Sequence, residues 1–139
     1  MKYAVVVVIL AILILIIRGD FFSSSPLIIA GQVAAVIIAF SARAAFRKQQ
    51  FRTVAEPGDG PLVRNGPYRL IRHPMYASVL LLIWVSILGH WSVVNGIIGA
   101  VVMVIILMRI PIEEQLLRER YPDYPEYARQ TKRIIPFLY

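Results

Sequence analysis

The sequence predicts an all-α fold: an integral membrane helical bundle of about four transmembrane helices with a cytoplasmic C-terminal helical cap. Three observations predict it. Hydrophobic residues make up 58% of the 139 positions and come in blocks, more aliphatic surface than a soluble chain of this length has interior to hide. Basic residues gather beside alternate connectors between the blocks. The last thirty residues or so change to an amphipathic pattern. The length suits one domain, residues 1–139. Within it the pattern marks an N-terminal transmembrane hairpin (1–46), a basic cytoplasmic loop (47–75), a second transmembrane hairpin (76–110) and a cap (111–139).

The first element is the apolar run Tyr3 to Ile17. A crossing helix needs about 20 apolar residues, so this run is short unless Phe21 and Phe22 extend it. Lys2, the apolar core and Ser23-Ser24-Ser25 also fit a signal peptide. Against that, Arg18 and Asp20 interrupt the run and no Ala-x-Ala site follows, so a retained span is expected. Pro26 opens the second apolar segment, where a missing N–H does little harm, and Leu27 to Phe46 is long enough to cross. Gln32, near its middle, is expected to make an interhelical hydrogen bond. Arg43 lies close enough to the end to snorkel.

Arg47 to Pro74 is polar and basic, with a turn-rich stretch at Glu56-Pro57-Gly58-Asp59-Gly60-Pro61. Gly58-x-Gly60 is no nucleotide fingerprint, because the third glycine and the strand-to-helix context are missing. Met75 to Leu88 and Val93 to Met108 follow, joined by Gly89-His90-Trp91-Ser92, a connector that allows only an antiparallel helical hairpin. Trp91 and His90 suit the membrane interface, and Gly96, Gly99 and Ala100 suit close helix approach. Pro111 is expected to break or kink the fourth helix and to start a new one, with Ile112, Leu116 and Leu117 as its apolar stripe. Tyr121 to Tyr127 then turns the chain into a short final helix, and Ile134 to Tyr139 ends it with interface-seeking side chains.

Composition excludes several functions. With no cysteine there is no disulfide framework, thiolate metal site or cysteine nucleophile, and no metal is expected. The net charge of +7 accompanies no RNA or DNA motif, so the basic residues read as topology signals and contacts to membrane lipids, with no nucleic-acid partner. Six Lys/Arg lie between Arg47 and Arg72 and five after Pro111, while Arg18 is the only one in the two opposite connectors. That asymmetry predicts a multi-pass protein with both termini cytoplasmic.

Two polar clusters fall on this cytoplasmic face. The first is Asn65-Gly66-Pro67-Tyr68-Arg69-Leu70-Ile71-Arg72-His73-Pro74-Met75-Tyr76. Pro74 suits a first helical turn, where the helix dipole and free N–H groups favour an anion. Positive-inside anchoring alone also explains this stretch. The second is Arg109-Ile110-Pro111-Ile112-Glu113-Glu114, where the carboxylates would begin a helix. Dipole compensation and an Arg–Glu pair explain it equally well locally. Yet antiparallel neighbours would put Tyr76 beside Arg109, forming a pocket with anion-binding groups on one wall and carboxylates on the other. Such a pocket suits a zwitterion with an amino acid head.

Gly66 to Tyr76 resembles the signature of the isoprenylcysteine carboxyl methyltransferase family, which groups with the phospholipid methyltransferases. Arg109, Glu113-Glu114, Leu117, Tyr121, Tyr124, Tyr127, Arg133 and Pro136 are similar to its carboxy-terminal pattern. The resemblance covers roughly residues 62–139. Ser78 stands where the family often has glycine, and Tyr121-Pro122 where it often has Phe-Gly. The resemblance implies an S-adenosylmethionine-dependent enzyme releasing S-adenosylhomocysteine, with a lipophilic or lipid acceptor. It implies Tyr68, Arg72, His73, Pro74, Tyr76, Glu113, Glu114 and Tyr124 as cofactor-binding, and Arg109 and Glu113 as catalytic. The acceptor would be an isoprenylcysteine-like carboxylate or, alternatively, a phospholipid or other lipid amine. Two other classes compete: a non-catalytic membrane scaffold, which would bind no S-adenosylmethionine, and a small transporter, which would need polar lining at mid-depth. Oligomeric state is not legible.

Overall fold

A computed structural model describes residues 3–46 and 61–139. The turn-rich stretch expected at 56–61 lies outside them except for Pro61. Among the described residues the chain is all-helical, with five α-helices: α1 (Tyr3–Ile17), α2 (Pro26–Phe46), α3 (Pro74–Gly89), α4 (Val93–Arg120) and α5 (Tyr124–Gln130). A 3-10 turn, Gly66–Arg69, precedes α3. At 1.5 Å per residue, α2 and α4 reach about 31 and 42 Å, enough to cross a hydrocarbon core. The other two apolar helices are shorter, about 22 Å for α1 and 24 Å for α3.

Each helix lies against its neighbour in the order α2, α3, α4, α1. Ala11 and Leu15 of α1, Ile83 and Ile87 of α3, and Val102, Ile106 and Ile110 of α4 form the main core. Leucines, valines and isoleucines on the outward faces stay exposed, as on Ile9, Ile37 and Val104. In lipid those faces cost nothing, because every backbone group of a helix is satisfied within it. Two glycines allow the closest approaches. A Cβ on Gly31 would stand 2.9 Å from Val85 Cγ1, and one on Gly99 would stand 2.6 Å from Ile87 Cδ1. Gln32 makes its expected interhelical bond, donating to Ser86 Oγ at 2.9 Å and also to the Phe21 carbonyl at 2.7 Å.

The end of the bundle remote from the motif is closed by polar groups. Gly19, at φ 74°, stops α1 in a left-handed cap with Asp20 N–H donating to Leu15 O at 2.9 Å. Ser92 caps α4 by accepting from Asn95 N–H at 3.1 Å. Asn95, fully buried, donates from its amide to Asp20 at 3.0 Å and to the His90 carbonyl at 2.8 Å. One side chain thereby ties both connectors together.

The expected break at Pro111 does not occur: α4 runs unbroken from Val93 to Arg120 with Pro111 inside it. The reason is tertiary. Val102, Ile106, Ile110 and Glu114 recur at four-residue steps and are all buried, so one continuous face packs on both sides of the proline. Pro111 itself points outward, where its ring meets little protein. In consequence Glu113 and Glu114 do not begin a helix, and the dipole does not explain them.

Candidate active site

Two segments build the site: the polar stretch leading into α3, and α4 where it leaves its apolar run. Pro74 occupies the first turn of α3 and is buried. His73 just before it is 4% exposed. Its ring stacks on Tyr76 with centroids 5.5 Å apart and planes 13° from parallel. The Tyr76 hydroxyl donates to Glu113 Oε2 at 2.5 Å. The Arg109 guanidinium carbon lies 5.8 Å from the Tyr76 ring centre, within cation–π range. The antiparallel α3–α4 pair therefore sets a carboxylate, a guanidinium and two parallel rings side by side.

Glu114 faces differently. It is 3% exposed and its carboxylate is shared by two guanidiniums. Arg72 Nε donates to Oε1 at 2.8 Å, and Arg133 donates from Nε and Nη2 to Oε2 at 3.3 and 3.2 Å. His73 Nε2 stands 3.4 Å from Oε1. Arg72 also donates through Nη1 to the carbonyls of Ala128 (2.8 Å) and Thr131. Its guanidinium thus joins the motif, α4 and the end of α5. Glu114 in turn holds the Arg133 guanidinium above its ordinary pKa, through their hydrogen bonds first.

A short backbone pairing backs this junction. Ile71 and Lys132 form an isolated parallel bridge, with Arg72 N–H donating to Lys132 O at 2.7 Å and Lys132 N–H to Leu70 O at 3.1 Å. His73 N–H donates to Arg133 O at 2.9 Å. Beneath it, Tyr127 donates to the Tyr68 carbonyl at 2.8 Å. Burial pushes the Tyr127 hydroxyl up to about 12 and raises those of Tyr68 and Tyr124 too, so all three stay neutral. Tyr124 is fully buried, and its hydroxyl has no hydrogen-bond partner among the described residues.

Of the residues marked in the sequence, Arg72, His73, Pro74, Tyr76, Arg109, Glu113 and Glu114 converge on this one junction, with Tyr68 and Tyr124 buried beside it. Glu113 and Tyr76 face one another, whereas Arg72 and Glu114 are engaged with each other and with the chain end. The bridge at Ile71 and Lys132, and the binding of Arg133 to Glu114, had no local signal. A partner nineteen residues away on a different segment follows no helical or strand period. The hints were a second carboxylate needing a cation and the place of Arg133 in the carboxy-terminal pattern.

Residues 21–124 match the phospholipid methyltransferase family, and the chain belongs to that family. Over 83 residues it is 34% identical to a probable protein-S-isoprenylcysteine O-methyltransferase of Oryza sativa subsp. indica, covering 55% of this chain and 41% of that protein. It is also 34% identical over 82 residues to the cobalt-zinc-cadmium resistance protein CzcN of Cupriavidus metallidurans, covering 55% of this chain and 36% of the relative. A nickel-cobalt-cadmium resistance protein, NccN of Alcaligenes xylosoxydans xylosoxydans, is 30% identical over 82 residues, again 55% of this chain and 37% of the relative. The matches thus span well under half the length of these curated relatives. The apolar helices and the family together make this a membrane protein.

Proposed function

We propose that the chain is a membrane methyltransferase that uses S-adenosylmethionine to methylate a lipophilic acceptor, in the first instance a carboxylate of an isoprenylcysteine-like molecule. The observation that carries this reading is the Tyr76–Glu113–Arg109 grouping on adjacent helices at one depth. The donor set fits the cofactor. Glu113 offers a carboxylate to its ammonium, and the Tyr76 and His73 rings offer electron-rich faces near a sulfonium. The buried, unpartnered Tyr124 hydroxyl supplies a further donor. Pro74 and Tyr68 shape the wall behind them.

When bound, S-adenosylmethionine supplies an electrophilic methyl group. The acceptor oxygen, held by this chain, would take that methyl group, and the electron pair of the broken S–C bond would stay with the departing thioether. Such an in-line displacement depends chiefly on positioning. Arg109 orients the acceptor's carboxylate toward the methyl group. Attack by a carboxylate on a sulfonium cancels two charges, so excluding water assists it. A carboxylate needs no general base. An amine acceptor is the alternative, favoured by the family's phospholipid description; it must lose a proton, for which Glu113, hydrogen-bonded to Tyr76, is the carboxylate at hand.

The same reading gives the topology. α1 to α4 are the four spans, the first two forming one hairpin and the next two a second. The polar stretch before α3, the projecting end of α4 and the cap after Pro111 face the cytoplasm. The acceptor enters sideways from the bilayer.

The test is incubation of purified protein with methyl-labelled S-adenosylmethionine and an S-prenylated N-acetylcysteine in bilayer discs. Label released as methanol by mild base identifies an ester and supports the carboxylate reading. Base-stable label on added phosphatidylethanolamine supports the amine alternative. No transfer to either, with no saturable cofactor binding, leaves a scaffold.

A further inference from the structure

We propose that the segment from Thr131 to Tyr139 is a strap that sets the site, with Arg133 and Arg72 as positioning residues acting through Glu114, which does not itself touch the methyl donor. This rests in part on the methyltransferase reading above.

Glu114 lacks free capacity. One oxygen accepts from Arg72 at 2.8 Å and lies 3.4 Å from His73 Nε2, while the other accepts from two nitrogens of Arg133. A carboxylate only 3% exposed and held by two guanidiniums gains little by exchanging one of them for a ligand's ammonium. Glu113, the next residue, lies about 100° further round the helix and is reached by a neutral tyrosine hydroxyl instead. A neutral partner leaves its charge available to a cation.

The strap reaches the donor wall through two bonds in series. Arg133 accepts from His73 N–H, and the His73 ring stacks on Tyr76, whose hydroxyl holds Glu113. Two further backbone bonds, between Arg72 or Leu70 and Lys132, fix the register. The strap also folds on itself. Ile134 N–H donates to Tyr139 O at 2.8 Å, and Arg133 Nη1 donates to the Tyr139 hydroxyl at 2.9 Å. Ile134 meanwhile is buried in the core shared by α3 and α4. Loss of the Arg133–Glu114 contact should therefore loosen the His73 backbone while the centre of the bundle stays intact.

Two measurements on the full chain in bilayer discs test this. The first is amide hydrogen exchange. In Arg133→Gln, peptides covering Ile71 to His73 should exchange about tenfold faster than in wild type, with peptides covering Leu81 to Ser86 unchanged. Arg133→Lys should fall between the two. Equal acceleration in both regions, or none, overturns the strap. The second compares S-adenosylhomocysteine with its deaminated analogue. Wild type should prefer the amine-bearing ligand, Glu113→Gln should lose that preference, and Glu114→Gln should keep it while binding both ligands about tenfold more weakly. Loss of the preference in Glu114→Gln would mean that Glu114 touches the ammonium, and would overturn its assignment. If wild type binds neither ligand, the methyltransferase reading fails, and the exchange experiment still decides the strap.

Discussion

Glu113 and Glu114 are adjacent in the chain and opposite in use. Successive helical residues point about 100° apart, so one meets Tyr76 on α3 and the other meets Arg72 and Arg133. Removing the Glu114 carboxylate would leave Arg72, 10% exposed, without its charge partner. Glu114→Ala should therefore destabilise the protein by about 3 kcal/mol in denaturant titration, whatever it does to activity. Arg109→Ala should abolish methyl transfer while leaving S-adenosylmethionine binding largely intact; equal loss of both would move Arg109 into the donor wall. Tyr124→Phe removes a buried hydroxyl that has no protein partner among the described residues, so thermal stability should hold or rise slightly. Its affinity for S-adenosylmethionine should fall several-fold if that hydroxyl serves the cofactor, which calorimetry in detergent would read. The motif residues were legible because they lie within one helical turn or in one short loop. Arg133 was legible only as a matching letter, since its role depends on how the chain end folds back.

Helix positions followed from simple rules. The first three apolar runs became α1 to α3 almost residue for residue, because a block of aliphatic side chains beside lipid favours a helix, while α4 began at Val93 as expected and ran on beyond Met108 to Arg120. Pro111 was misread for an equally simple reason. Proline removes one hydrogen bond from a helix, but the buried four-residue repeat through Ile106, Ile110 and Glu114 holds the turns on either side. Propensity lost to packing. The small residues carry the closest contact between α2 and α3, where Gly31 faces the branched, rigid Val85. Gly31→Leu should cost on the order of 2 kcal/mol by overpacking and lower the melting temperature. Leu27→Ala, at a residue 81% exposed to the lipid side, should change it little. Equal effects would mean that α2 does not pack on α3 as described.

For the molecule as a whole, charge asymmetry is the strongest statement the sequence makes about orientation, and it depends on counting, not on contacts. The absence of cysteine makes it testable. Single cysteines at Ser24 and Trp91 should react with a membrane-impermeant maleimide on intact cells. One at Arg129 should react only after permeabilisation. Reaction of all three from the same side would break the four-span arrangement. Helix positions were legible because they are set by apolar runs. How the chain end returns to the motif was not, because that depends on three backbone bonds, and on a carboxylate shared by Arg72 and Arg133, between segments about sixty residues apart. The central claim concerns the donor wall built by Tyr76 and Glu113, and the most direct measurement is titration of the purified protein with S-adenosylmethionine by calorimetry. Saturable one-to-one binding that Glu113→Gln weakens at least about tenfold is the expected result. A flat titration in wild type, or binding indifferent to Glu113, would contradict it.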